Sequence, residues 1–446
     1  MIRHARLWLA CLAGAAVLLG GCAKAPIASV PRAERAAIAA RLNADITTLA
    51  SDEYGGRQPG TDGGKRTVDY LTRRFAEIGL TSGTNDPGNP WRAPVGLTSV
   101  RAVSSTLEIV RGNTRVTLTD AEALAVTTRQ RELIADGEMV FVGYEAQDVA
   151  IDDVRGKVVV ALVDQSLNPE RRVILEAKQV SAVILVTDDA SIITGVRADS
   201  SRPKIALTGE VEEVFAAIAT QKGLARALGE DRWRALVKAA TRKDFTPVNL
   251  MAKANVEAIS ERRDFTSYNV LGRLAGTGTG QGGEGDAILL LAHWDHLGEC
   301  APASQTDRIC NGAVDNASGI AVLLELLQRL KAAGPFERDI YALATTAEEV
   351  GLLGAKAFVA NPPLPLRSVI GAFNFDSVAI APAGSPVGFV GEGRTRLDPI
   401  VLETLAAAER ALGSRDYAER FVERQDAWVL LQKGVPAVNL SSAFGS

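Results

Sequence analysis

The sequence predicts an α/β protein with a mostly parallel or mixed central sheet, helices on both faces of that sheet, and an inserted β-rich domain. From residue 268 onward, short apolar runs typical of buried strands alternate with helical patterns at 320–332, 349–360 and 399–413. Such alternation indicates a largely parallel sheet covered by helices. Strand-like runs dominate between about residues 97 and 262. A chain of 446 residues also exceeds one ordinary core, so two domains are expected.

The N-terminus has the order of an export signal. Two arginines among the first six residues precede an apolar stretch at 7–20, which is too short to span a membrane as a mature helix. It ends in LGGC, which resembles the lipobox of bacterial lipoproteins, where the cysteine becomes the lipidated first residue. We therefore expect a signal peptide at residues 1–21 and a lipid on Cys22. A plain signal peptide or an uncleaved anchor is the alternative.

The predicted location follows from the same segment. Ala23 is not the aspartate that retains lipoproteins at the inner membrane in some bacteria, so we expect an outer-membrane protein that faces the periplasm. Besides Cys11 and Cys22, the chain has only Cys300 and Cys310, ten residues apart. An oxidising compartment favours a disulfide between them. Thiolate metal ligands are the weaker alternative, because no CxxC spacing occurs.

The first hundred residues predict helices at 33–50 and 64–80. The second is amphipathic, with apolar residues at three- and four-residue spacing, and ends near Gly79. The turn-rich segment GGRQPGTDGG separates the two helices, and the Pro/Gly-rich residues 85–94 form a predicted linker.

The strand-like region that follows contains DVRGK, which introduces VVVALVD and is preceded by VFVGYEA. These segments resemble the protease-associated domain inserted in several exopeptidases, which is usually non-catalytic and shapes the approach to the active site. An unidentified β-rich insert is the alternative, because short apolar runs are ambiguous.

Composition and charge exclude other classes of protein. The net charge of −4 arises from 53 acids against 49 bases with no long run of one sign, so no nucleic-acid partner is expected. Residues 278–283 satisfy the G-x-G-x-x-G pattern of dinucleotide sites. They lead into a strand-like run instead of a helix, so no dinucleotide site is predicted.

Potential metal ligands cluster in four motifs at predicted strand ends and helix starts. These motifs are AHWDHLG, GAVDNASG, TAEEVGLLGA and FNFDSVA, and their ionisable groups are His293, Asp295, Asp315, Glu348, Glu349 and Asp376. Ligands bind at the carboxyl edge of open α/β sheets. Clustered carboxylates without a cation would be costly to bury, so the pattern predicts a metal centre.

Each motif suggests a role. His293 ends a buried strand, and Asp295 is suited to hydrogen-bond its other ring nitrogen. His296 is not expected to be a ligand, because a neighbouring strand-end position points elsewhere. Asp315 has two oxygens and can bridge two cations, with Asn316 or Ser318 as a candidate helix cap.

The adjacent acids Glu348 and Glu349 point to different sides of a turn. One can therefore bind metal while the other reaches the activated water. Asp376 ends a third strand and adds a third acidic ligand.

In this order the four motifs resemble the co-catalytic zinc exopeptidases of peptidase family M28, from about residue 42 to the end. The resemblance implies two zinc ions and hydrolysis of the peptide bond next to a free terminus, most often by an aminopeptidase. It assigns His293 and Asp376 to one zinc, Asp315 to both, Glu349 to the second, Glu348 as general base and Asp295 as the residue that orients His293. The expected domains are 22–95 and 263–446 for the catalytic domain and 96–262 for the insert.

The sequence departs from the family pattern after residue 436. The family has a second histidine ligand, for the zinc that Glu349 binds, beyond the strand that PAVNLSS resembles, whereas Ser446 comes first here. Residues 424–428 and 434–437 resemble the motif that precedes that histidine. We therefore expect either a truncated chain or a second zinc site that lacks one ligand and binds zinc more weakly.

Two other functions remain open at this stage. One is a non-catalytic binding or scaffold module with an incomplete metal site, and the other is an acyltransferase similar to glutaminyl cyclase. The expected partners are peptide substrates and, through the lipid anchor, a membrane. The sequence does not specify side-chain preference, the choice of terminus or the oligomeric state.

Overall fold

The computed structural model describes residues 30–144, 148–163, 169–278, 286–302, 304–378, 381–382 and 384–441. The predicted signal peptide, Cys22 and most of the glycine-rich loop at 278–283 lie outside these residues. Among the helices that the structure describes, none combines the length and apolar character needed to cross a bilayer.

The described residues form a mixed α/β fold, which confirms the predicted fold class. The α-helices are α1 Arg32–Leu49, α2 Asp62–Ile78, α3 Ile151–Val154, α4 Pro169–Glu176, α5 Ala190–Ser200, α6 Gln221–Leu228, α7 Glu230–Ala239, α8 Gly319–Ala333, α9 Leu353–Ala360, α10 Asp398–Ala407, α11 Arg415–Glu419 and α12 Asp426–Gln432. The strands are β1 Thr81–Ser82, β2 Arg92–Arg111, β3 Thr114–Thr117, β4 Ala123–Thr127, β5 Arg131–Gly143, β6 Val158–Leu162, β7 Ala182–Thr187, β8 Lys204–Leu207, β9 Phe215–Thr220, β10 Val248–Leu274, β11 Ala287–His293, β12 Gly298–Glu299, β13 Ile309–Cys310, β14 Asp339–Thr345, β15 Val369–Asn374, β16 Gly388–Val390 and β17 Ala437–Ser441.

The chain divides into two compact units. The first unit contains the described residues of Met1–Trp91, Val270–Thr345 and Asn361–Ser446, and the second contains those of Arg92–Asn269 and Thr346–Ala360. The second unit therefore includes residues 96–262, which were predicted to be an insert, together with the short segment that follows β14.

The first unit is built on parallel strands in the order β17-β15-β11-β14. Strand β16 extends this sheet antiparallel to β17, and the residues of β10 from Val270 pair antiparallel with β14 at the other side. Strands β11 and β14 are almost fully buried, because their side chains are apolar on both faces, as parallel strands require.

Helix α2 shows why the sequence folds locally as predicted. The Thr61 hydroxyl accepts a hydrogen bond from the Gly64 amide at the start, and Gly79 ends the helix in the left-handed conformation with φ 89°. Leu71 and Phe75 lie on the apolar face and are fully buried. The predicted helix at 64–80 is thus confirmed, with its start two residues earlier.

The second unit contains parallel strands in the order β5-β6-β7-β9, with β4 antiparallel to β9 and the first part of β10 antiparallel to β5. Its largest core cluster includes Met139, Phe141, Val160 and Trp233. Helices α5, α6 and α7 were not predicted from the sequence, which suggested mainly strands in this region.

One predicted helix starts later than expected. The sequence pattern suggested a helix at 349–360, but α9 begins at Leu353. Ala347, Gly351 and Leu352 have positive φ angles of 53°, 117° and 61°, which a helix does not allow. Residues 347–352 therefore form a turn, and the pair Glu348–Glu349 lies on it.

Candidate metal centre

The carboxyl ends of the parallel strands in the first unit bring polar residues to one edge. His293 is the register partner of Thr345 on β14, and Leu291 is the partner of Asn374 on β15. The segment after β15 continues alongside β11, because the Phe375 amide donates to the Leu291 carbonyl at 2.9 Å. This register places His293 next to the chain that carries Asp376.

Three of the predicted ligands converge at this edge. His293 Nε2 lies 3.1 Å from Asp315 Oδ1 and 3.5 Å from Asp376 Oδ1. The ligand atoms of all three residues lie within 4.8 Å of one another, so the group could hold a metal ion. Asp315 Oδ1 is buried and, apart from the approach of the imidazole, has no hydrogen-bond donor among the described residues. One imidazole nitrogen and two carboxylate oxygens are a donor set that fits zinc.

The orientation of His293 is set from its other ring nitrogen. Nδ1 lies 3.2 Å from the main-chain carbonyl oxygen of Asp295, whereas the Asp295 carboxylate is 3.9 Å away. A carbonyl can only accept, so Nδ1 carries a proton, and Nε2, which faces the two aspartates, is the nitrogen that can bind a metal once it has no proton of its own. Asp295 was predicted to orient His293 through its carboxylate, and in the structure its carbonyl is the nearer group.

Asn316 holds the Asp315 turn against the end of β15. Its side-chain oxygen accepts from the Gly319 amide at 2.9 Å and from the Ser377 amide at 3.2 Å. Its side-chain nitrogen donates to the Phe375 carbonyl at 2.9 Å. Asn316 therefore fixes Asp315 relative to the segment that carries Asp376. Of the two candidate caps for α8, Asn316 accepts from the first helical amide.

Arg57 is a second positioning residue, and it was not identified from the sequence. Its buried guanidinium donates to the carbonyls of Leu49, Trp294, Asn311 and Gly312 at 2.6–2.8 Å. Three of these carbonyls belong to the segments that follow His293 and precede Asp315. The side chain thus ties both ligand-bearing segments to the turn after α1.

The Asp315 carboxyl is held in its ionised form. Burial by itself raises the pKa of this group, but the nearby His293, His296 and Arg57 outweigh the burial and lower the pKa below its ordinary value. An ionised carboxylate is the form that binds a cation.

His296 lies closer to Asp315 than strand alternation suggested. Strand β11 ends at His293, and residues 294–297 are irregular, so the alternation of side chains does not extend to position 296. A ring nitrogen of His296 lies within 4.8 Å of a carboxylate oxygen of Asp315. His293, at the end of β11, and His296, beyond that end, therefore both approach the same aspartate.

Asp426 is a buried acid to which the sequence analysis gave no role, although its motif was noted. One of its oxygens accepts a hydrogen bond from the Thr345 hydroxyl. Burial raises its pKa to about 7, and Asp295 and Asp376 act in the same direction, whereas His293 and Thr345 oppose the shift. The start of α12 is therefore hydrogen-bonded to the end of β14, the strand that pairs with β11.

The remaining predicted groups are placed as follows. Glu348 and Glu349 belong to the second unit, on the turn between β14 and α9. The amides of Gly351 and Leu352 both donate to the Glu348 carbonyl at 2.9 Å, and Leu353 packs in a cluster with Val95 and Leu97.

Cys300 and Cys310 are joined in a disulfide, with their Cα atoms 5.8 Å apart. This bond closes the loop carried by the paired strands β12 and β13. It therefore constrains the chain between His293 and Asp315.

The fold and the cluster together define an α/β protein with a candidate metal centre at the carboxyl edge of its sheet. A model described as peptidase family M28 matches residues 269–446, which include the four motifs. This part of the chain is a peptidase family M28 domain.

Known proteins resemble the chain to different extents. A segment of 76 residues is 42% identical to the alkaline phosphatase isozyme conversion protein of Escherichia coli (strain K12), and the match covers 16% of this chain and 21% of that protein. The structure of an aminopeptidase from Aneurinibacillus sp. strain AM-1 matches with a TM-score of 0.54 and 19% identity, over 90% of this chain and 84% of that one. A zinc aminopeptidase from Bacillus subtilis matches with a TM-score of 0.45 and 17% identity, over 90% and 84%. The Aneurinibacillus match shows a shared fold.

Proposed function

We propose that this protein is a zinc-dependent exopeptidase that acts as an aminopeptidase. The family M28 domain supports a hydrolase that acts on peptides. The observation that carries the metal dependence is the convergence of His293, Asp315 and Asp376 within 4.8 Å. The choice of the amino terminus follows the family resemblance of the motifs.

The residues of the first unit supply the zinc-binding groups. His293 Nε2, Asp315 and Asp376 would hold the ion, and His293 stays in the binding tautomer because its Nδ1–H donates to the Asp295 carbonyl. When bound, zinc lowers the pKa of water and polarises the carbonyl that is attacked. Asn316 and Arg57 keep the ligand segments in place and so reduce the reorganisation needed during reaction.

The motif TAEEVG supplies the remaining roles by its resemblance to the family. Glu348 accepts the proton of the attacking water and delivers it to the leaving amine, as a general base and then a general acid. Glu349 would bind a second zinc. Both roles rest on sequence alone.

The test uses the purified full chain loaded with zinc. We expect it to release the first residue of unblocked peptides and to leave N-acetylated copies intact, with activity lost on chelation and restored by zinc. If the blocked peptides are cleaved from their carboxyl end, the protein is a carboxypeptidase and the aminopeptidase assignment is wrong. Cyclisation of N-terminal glutamine without hydrolysis would favour the acyltransferase, and zinc-free protein with no turnover would favour the scaffold.

We also propose that the protein is exported and anchored by a lipid on Cys22, facing the periplasm from the outer membrane. The proposal is supported by the charged and apolar N-terminal segment that ends in LGGC. Labelled fatty acid should enter the wild-type protein and not Cys22→Ala. Equal labelling of both would contradict the anchor.

A further inference from the structure

We propose that His296 is a ligand for a second cation, which it shares with Asp315. The inference rests on the proposed metal dependence and adds a residue that the family resemblance did not assign. Asp315 would then have an imidazole on each of two sides, His293 for the first cation and His296 for the second. A carboxylate can serve both because it has two oxygens, each with two lone pairs.

The distances place both imidazoles around one carboxyl group. His293 Nε2 is 3.1 Å from Asp315 Oδ1, and a ring nitrogen of His296 is within 4.8 Å of an Asp315 oxygen. Zinc–nitrogen and zinc–oxygen bonds are each about 2.0–2.2 Å, so one ion between two donors holds them up to about 4 Å apart. The His296 ring nitrogen and the Asp315 oxygen therefore need to move only slightly to bind one ion between them.

The backbone brings the His296 ring to this position. Beyond the end of β11 the Trp294 amide still donates to the Thr345 carbonyl at 2.9 Å, and the chain then turns away from strand geometry. The ring packs directly over Gly312, since a Cβ at that glycine would lie 2.6 Å from His296 Cδ2. Gly312 has φ +60° and leads into the Asp315 turn. Only a glycine satisfies both the backbone angle and the contact.

Arg57 links the segment that carries His296 to the segment that carries Asp315. Its guanidinium donates to the Trp294 carbonyl and to the Gly312 carbonyl, each at 2.8 Å. These two carbonyls lie close in sequence to His296 and to Asp315. The separation of the two side chains is therefore set by a buried, hydrogen-bonded side chain.

The rival explanation is that His296 forms only an ion pair with Asp315. Metal binding and an ion pair differ in what zinc does to the imidazole. A ligand keeps one ring nitrogen bound to the ion and its tautomer becomes fixed, whereas an ion-pair partner is released once zinc neutralises Asp315.

The experiment combines zinc titration with nitrogen-15 NMR of the histidine side chains. The full chain has three histidines, so few signals need assignment. Metal-free wild type, His296→Asn, His293→Asn and Asn311→Ala are titrated with zinc against a chromophoric chelator. Asn311→Ala is the matched control, because it alters a half-buried side chain of the same loop, whose amide donates to Asp52, and leaves the main chain unchanged.

We expect two zinc ions per wild-type chain and a shift of the His296 ring nitrogens with the second equivalent. His296→Asn should keep the first zinc and bind the second at least about tenfold more weakly, the lower bound for losing a supporting group. Asn311→Ala should bind as wild type does. The inference would be overturned if His296→Asn bound two zinc ions with wild-type affinity. It would also be overturned if zinc did not shift the signals of the His296 ring nitrogens in the wild-type protein.

The outcome is separable from that of the proposed function. Peptide hydrolysis with wild-type zinc affinity in His296→Asn would reject the ligand and keep the peptidase. If His296→Asn loses the second zinc and the wild-type protein hydrolyses no peptide, the ligand assignment stands and the peptidase is rejected. Failure of wild type to bind any zinc would reject both.

Discussion

The two units both place polar residues after parallel strands, but they use them differently. In the second unit, Asp189 follows β7 and its carboxylate accepts from the Ser191 amide at 2.8 Å, and Thr220 at the end of β9 accepts from the Gly223 amide at 3.0 Å. Each side chain caps the helix that follows. In the first unit, His293 ends β11 and Asp376 follows β15, and His293 Nε2 lies 3.5 Å from Asp376 Oδ1.

The difference shows what distinguishes a site from a cap. Within the described part of the second unit, no three His, Cys, Asp or Glu side chains converge, whereas His293, Asp315 and Asp376 do so in the first. A single acid at a strand end, such as Asp189, already accepts a hydrogen bond from an amide of the helix that follows. Convergence of several such groups, with a buried oxygen of Asp315 left for a cation, is the informative signal.

The largest effect is expected from Glu348→Gln. If Glu348 is the general base, as the motif predicts, the variant should turn over peptide about 10²- to 10⁴-fold more slowly, because proton transfer contributes that much to the rate. Zinc content should not change. Glu337→Gln, at an exposed glutamate of the first unit, is the matched control and should retain activity. Full activity in Glu348→Gln would remove the assignment.

A matched pair of alanine variants tests the contrast between site and cap. Loss of a residue that only supports a ligand weakens metal binding by about tenfold to a hundredfold. Asp315→Ala removes a direct ligand, so zinc binding should weaken by more than that. Asp189→Ala should bind zinc normally and unfold at a lower denaturant concentration, because it removes a helix cap. Chelator competition and denaturant unfolding measure the two effects. Equal zinc affinity in both variants would erase the contrast between the units.

Arg57 sharpens the comparison, because it fixes the first unit's ligand segments through main-chain carbonyls. Arg57→Met should lower the free energy of unfolding by about 3 kcal/mol, since it leaves buried carbonyls without their charged donor. Arg66→Met, at an exposed arginine that donates to the Glu53 carbonyl, should change it by less than about 0.5 kcal/mol. Urea denaturation of zinc-free protein compares them, and similar losses would show that Arg57 is not a structural anchor.

The smallest effect concerns pH and the second unit. The hydrogen bond from Arg226 lowers the pKa of Glu122 to about 2. The pair therefore stabilises the fold above the unfolded pKa of Glu, and this contribution is lost as pH falls from about 4.5 toward 2. Solvent reaches the pair, so we expect only about 1 kcal/mol. Glu122→Gln should unfold with less dependence on pH in this range, and an unchanged pH profile would contradict the pairing.

The sequence predicted those features that depend on local pattern. The periodicity around Leu71 and Phe75 located α2, and the apolar run before His293 located the strand end that carries a ligand. Short apolar runs in the second unit did not distinguish helix from strand, so α5–α7 were missed. The positive φ angles that delay α9 leave no mark on hydrophobic periodicity.

Features that depend on distant contacts could not be read from the sequence. Arg57 donates to carbonyls more than 230 residues away in the chain, and carbonyls carry no side-chain signal. The approach of His296 to Asp315 depends on where β11 ends. If the strand end is misplaced by one or two residues, the side chain of His296 is predicted to point the wrong way. The hydrogen bond between Asp426 and Thr345 likewise joins residues that are 81 positions apart in the chain.

The central claim is that His293, Asp315 and Asp376 hold a zinc ion. A crystal structure of the zinc-loaded full chain, with anomalous scattering measured at the zinc edge, tests it directly. We predict a zinc peak about 2.0–2.2 Å from His293 Nε2 and from an oxygen of each aspartate. A zinc-loaded, peptide-cleaving protein with its zinc elsewhere, and with the Asp315 and Asp376 carboxylates turned to solvent, would contradict the account.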